Sequence, residues 1–184
     1  MLGKKYEDRG NSELSKKYFN QFINNSPINM ENELQDAQFL LAKADWDNGE
    51  INSLEKFIID YPTSENSFSA YKLISRYYIT THDTISEINT LKIMVNAFPQ
   101  NANAMNSYAW RMVELNTNLE DALEKAILGV ELADDDLKPM ILDTQAEIEW
   151  MLGDVASAIN TIKKAILLNP EDSYLKSQLG KFEN

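Results

Sequence analysis

The sequence predicts an all-α fold: a right-handed α-solenoid of about five helix-turn-helix repeats, closed by a C-terminal capping helix. Three observations carry this. Between Leu142 and Pro170 the apolar residues recur at helical period. Leu142, Ala146 and Trp150 precede a Leu152-Gly153-Asp154 turn, and Ala158, Ile162, Ala165 and Ile166 follow it. Small alanines stand where two helices must approach closely, and Asn169-Pro170 ends the second helix. The third observation is a rhythm. Pro27, Pro62, Pro99, Asp134 and Pro170 each follow an apolar helical run, about 35 to 37 residues apart, and Gly10 stands before Pro27 as Gly153 stands before Pro170.

In chain order, residues 11–25 read as a second (B) helix, with Asn11 or Ser12 as N-cap and Leu14, Tyr18, Phe19, Phe22 and Ile23 on one face. Its partner A helix is expected to start before Met1 and to leave only a stub. That points to a piece of a longer protein, or else to a degenerate first cap, because a solenoid needs covered ends. The second repeat has an A helix over Glu31–Asp47, a turn at Asn48-Gly49 and a short B helix over Asn52–Tyr61. The third has an A helix over Ser67–Thr80, and its B helix follows His82-Asp83-Thr84 and ends at Phe98-Pro99. The fourth spans Ala102–Leu115 and Leu119–Leu132. In the tail, residues 173–182 place Tyr174, Leu175, Leu179 and Phe182 on one face and cap the last apolar surface. The repeats thus fall at about 1–28, 31–63, 67–100, 102–135 and 137–171 of a single domain.

A chain of 184 residues, 43% of them hydrophobic, is large enough to bury about 70% of its unfolded surface. No apolar run approaches membrane-spanning length, and the N-terminal residues contain no apolar leader. The absence of cysteine removes disulfides, thiolate metal sites and a cysteine nucleophile without fixing the compartment. A net charge of −12 argues against nucleic acid, whose binders need a basic face. The acids are concentrated: eleven lie between Glu120 and Asp154, against Lys125 and Lys138. They read first as a solvated surface and second as a face for a basic partner.

Leu142, Ala146, Gly153, Ala158, Ile162, Ala165 and Pro170 resemble the small/large template of the tetratricopeptide repeat, from which Gln145 and Glu149 depart. The fourth repeat carries Met105, Tyr108, Ala109 and Met112 in the same order of sizes, and the resemblance extends over nearly the whole chain. It implies a concave groove lined by the A helices that holds a peptide or a partner helix. The family's groove positions fall here on Lys72 and Arg76 in repeat three, on Asn103, Asn106 and Trp110 in repeat four, and on Asp143, Glu147 and Trp150 in repeat five. Lys72 and Arg76 stand four apart on one helix, where they can meet a carboxylate or pair with Asp143, Glu147 or solvent. Asn103 and Asn106 suit a peptide backbone. Trp110 and Trp150 are open to both groove contact and core packing. The family's chaperone-carboxylate clamp is matched only by Lys72 and Arg76, which share one helix. Asn106–Trp110 together with Leu142–Ala146 also resemble, over a short motif, helical repeats appended to bacterial thioredoxin-like exported proteins.

Catalytic chemistry is poorly represented. His82 is the only histidine and falls in a turn without a second ligand. Residues 45–49 resemble the start of a calcium loop, but Gly49 replaces the third oxygen ligand, so a helix-ending turn is the expectation. Asp134-Asp135-Asp136 suit the N-terminus of the next helix, and no phosphate loop or nucleophile triad is present. The expectation is a non-catalytic protein-protein interaction scaffold without cofactor or metal. The alternative is an accessory helical region of a larger, thioredoxin-like enzyme whose catalytic domain lies outside this chain.

Overall fold

The structure, a computed structural model, describes residues 2–9, 12–25 and 30–184. All regular structure among them is helical, in two compact units, Met1–Ala97 and Phe98–Asn184. The division falls at the Phe98-Pro99 punctuation between the third and fourth repeats. No helix among the described residues is long and apolar enough to cross a membrane.

The first unit holds α1 (Leu2–Glu7), α2 (Ser12–Asn25), α3 (Glu31–Trp46), α4 (Asn52–Asp60), α5 (Glu65–Thr80) and α6 (Thr84–Ala97). Each packs on its sequence neighbour, and α3 also packs on α5, the pattern of stacked helix pairs. The expected N-terminal stub is a helix of its own. Ser15 Oγ donates to the Gly3 carbonyl at 3.0 Å, and the Tyr6 and Tyr18 rings stack at 5.2 Å, so α1 is tied to α2. The turn at Gly10, the cap at Asn11 and the break at Pro27 lie outside the described residues. The core here is Phe39, Ala42, Leu54, Phe57, Ala70 and Ile74. Tyr78 donates to Glu55 at 2.6 Å, bonding α5 back to α4. That hydrogen bond, with burial, pushes the phenol up to about 12.

The residues that resemble a calcium loop end a helix, as expected. Asp45 accepts from Lys16 Nζ and Ser53 Oγ, each at 2.7 Å, and Gly49 takes φ +87°. Burial alone would raise the Asp45 carboxyl, but these two partners outweigh it and hold it below its ordinary value.

The second unit holds α7 (Ala102–Leu115), α8 (Leu119–Leu132), α9 (Lys138–Met151), α10 (Val155–Leu168) and α11 (Ser173–Phe182). Short polar side chains start these helices. Asn101 accepts from the Ala104 N–H at 3.0 Å, Asp154 from Ser157 at 3.1 Å, and Asp172 from Tyr174 and Leu175 at 2.8 and 3.3 Å. Asp134 likewise accepts from Leu137 at 2.9 Å just before α9. The core gathers Leu142, Ala146, Ala158, Ile162 and Ala165 with Leu175 and Phe182, so the tail helix does cover the last apolar surface. Tyr108 donates to Asp121, linking α7 to α8, and burial raises the phenol further above its ordinary range.

The expected surface reading fails for three acids of the Glu120–Asp154 stretch. Asp143, Glu147 and Glu149 are buried. They stand on α9, which packs against α7, α8, α10 and α11 and therefore has little face left for solvent. Glu149 accepts from Gln145 at 2.7 Å, one turn away on the same helix.

Each described A-to-B turn reverses through a left-handed residue: Gly49, His82 (φ 58°), Asn116 (φ 48°) or Gly153 (φ 88°). Glycine occupies this region freely, whereas a side chain costs about 1 kcal/mol there. His82 therefore fills a position that suits glycine better. In urea unfolding, His82→Gly should hold its stability or gain up to about 1 kcal/mol, and Gly153→Ala should lose about 1–2 kcal/mol. A clear loss in His82→Gly would show that the imidazole is needed in that turn.

Candidate functional site

Three helices of the second unit contribute to one cleft, and each carries a stripe of which only part lines it. On α7 the stripe is Asn103, Asn106 and Trp110, spaced three and four apart behind the Asn101 cap. On α9 it is Met140, Asp143, Glu147 and Trp150, and on α11 it is Tyr174, Gln178 and Lys181. The cleft encloses about 310 Å³, with Asn106 and Trp110 from α7, Met140, Asp143 and Thr144 from α9, and Tyr174 from α11 in its wall.

Its lining is mixed. Trp110, Met140 and Tyr174 remain 36%, 48% and 52% exposed, large side chains that the chain itself leaves partly uncovered. Asn106 is only 9% exposed, and its Oδ1 has no hydrogen-bond partner among the described residues. Leaving a buried acceptor unbonded costs about 1–3 kcal/mol.

Asp143 is 7% exposed and has no ion pair among the described residues. Gln178 Nε2 approaches it at 3.4 Å and also donates to the Tyr174 hydroxyl at 3.0 Å. Burial pushes the Asp143 carboxyl up to about 6, and the charge of Glu147 adds to the rise. Hydrogen bonds from Gln178 and Tyr174 and the charge of Lys181 offset only part of it. Glu147, one turn along α9, is satisfied differently. Lys181 Nζ binds its two oxygens at 2.5 and 2.7 Å and lies 4.3 Å from the centroid of the Trp150 ring. Trp150 in turn packs on Phe182, with ring centroids 5.9 Å apart.

The residues chosen from the sequence are thus divided. Asn106, Trp110 and Asp143 meet in the cleft. Glu147 and Trp150 lie under α11, with Lys181 as their cation, and Asn103 is exposed outside the cleft wall. Lys72 and Arg76 belong to α5 of the first unit. Both are exposed, and Lys72 Nζ stands 5.7 Å from the Phe68 ring centroid. Tyr174, Gln178 and Lys181 were not among the residues chosen from the sequence. The sequence assigns Tyr174 to the apolar capping face with Leu175, Leu179 and Phe182, yet it is 52% exposed and lines the cleft, while Gln178 and Lys181 stand three apart beside that face. Among the described residues, no group of three or more His, Asp and Glu side chains is placed to hold a metal ion.

The sequence matches no protein-family model and no curated protein. Solved structures are similar to it. A tetratricopeptide repeat protein from Parabacteroides merdae superposes with a TM-score of 0.68 at 14% identity, over 98% of this chain and 69% of the other. MamA of Desulfovibrio magneticus gives 0.62 at 16% identity, over 94% and 93%. A thermophilic tetratricopeptide repeat protein of Thermus thermophilus gives 0.57 at 17% identity, over 98% and 95%. At these identities the likeness is one of fold, and the fold is an all-α solenoid of the tetratricopeptide-repeat type.

Proposed function

We propose that this chain is a non-catalytic interaction scaffold and that the cleft between α7, α9 and α11 receives a segment of a protein partner. The observation that carries the reading is the unbonded, buried Oδ1 of Asn106 beside the partly exposed Trp110 and Met140. A bound peptide offers an N–H, from its backbone or a side chain, that this oxygen accepts, and its side chains cover the two apolar groups. The likeness in fold to tetratricopeptide-repeat proteins supports a scaffold over an enzyme. Asn103, at the start of α7, extends the same stripe and serves the backbone of the bound segment. Lys72 and Arg76 give the first unit a basic pair suited to a carboxylate.

Random linear peptides displayed as a library and selected on the full chain test this directly. Binders should emerge, and Trp110→Ala should weaken them by about tenfold or more, close to 1.4 kcal/mol, with helicity unchanged by circular dichroism. Asn106→Ala should weaken them too. A library without binders, or binders indifferent to both substitutions, would overturn the proposal. Lys72→Glu with Arg76→Glu tests the basic pair of the first unit by itself, and unchanged affinity removes that pair from the binding residues.

A further inference from the structure

Helix α9 carries two buried carboxylates one turn apart, Asp143 and Glu147, each with aromatic side chains close by. The chain fills the second seat itself. Lys181 supplies a cation that bonds both oxygens of Glu147 and lies over Trp150. The first seat has the same ingredients without a cation. Asp143 lines the cleft with Trp110 and Tyr174 and has no ion pair among the described residues, and Asn106, whose buried Oδ1 is unbonded, belongs to the same wall.

We infer that the cleft is the seat of a basic side chain, an arginine presented by the partner segment. In this arrangement its guanidinium donates to the Asp143 carboxylate and Asn106 Oδ1 and lies against the Trp110 and Tyr174 rings. A guanidinium suits this set better than an ammonium. Its planar fork of donors serves two acceptors at once, and its flat face stacks on aromatic rings. Burial holds Asp143 up near 6, which leaves it mostly ionised at neutral pH and short of solvation, a state that an incoming cation relieves. The inference rests on the peptide-binding reading above and names the side chain that reading leaves open.

The test uses peptides selected from the random library on the full chain. Arginine should be enriched at one position of the binders, and its replacement by neutral citrulline should weaken binding by about tenfold or more. On Asp143→Asn, which keeps the shape of the side chain, the arginine and citrulline peptides should bind alike. Because the citrulline comparison alters only the peptide, it holds even if a protein variant folds poorly. Binders without a basic residue, or an arginine preference unchanged in Asp143→Asn, overturn this inference and leave the peptide-binding reading standing. A library that yields no binder overturns both.

Discussion

The second unit depends on the close approach of α9 to its neighbours. Ala146 on α9 meets Ala158, Ile162 and Ala165 on α10, all four fully buried. Only small side chains at Ala146, Ala158 and Ala165 let the two helices come this near. The same helix then packs on α7, α8 and α11. A helix enclosed in this way buries most of what its sequence places on it, including three carboxylates. The arrangement of the cleft follows from how those carboxylates are served.

Burying a charge without a partner costs several kcal/mol, and the chain answers differently at each position. Glu147 takes Lys181 from the tail helix, and Glu149 takes an amide from its own helix. Asp143 receives a distant amide from Gln178 and a hydrogen bond from Tyr174, without an ion pair, and keeps a raised pKa. The folded state therefore holds a proton on Asp143 more readily than the unfolded chain does. Its contribution to stability is full below the unfolded value near 3.8 and is lost as pH rises through about 6. A cationic partner acts in the opposite sense, because it favours the ionised carboxylate. Folding cost and binding specificity thus meet at one side chain.

Much of the architecture was legible in the sequence. Apolar period, small residues and the Pro, Gly and Asp punctuation placed α7, α8 and α11 at their observed bounds. The Asn101, Asp154 and Asp172 caps are local features too, but they entered only with the structure. The family's groove positions brought Asn106, Trp110 and Asp143 forward as one surface, and the structure gathers these three in one cleft. What the sequence did not show is what covers a stripe. Period alone places Glu147 and Trp150 on one face of α9, but only the return of the tail helix lays Lys181 across them. The burial of Glu149 and the extra short helix α1 were hidden for the same reason, since both depend on tertiary neighbours.

The most direct measurement is a crystal structure of the full chain with one selected peptide. The account predicts the peptide across α7, α9 and α11, with a backbone or side-chain N–H on Asn106 Oδ1, apolar cover on Trp110 and Met140, and α11 still seated on Glu147. A peptide bound along α8 and α10 instead, with the cleft left uncovered, would contradict it.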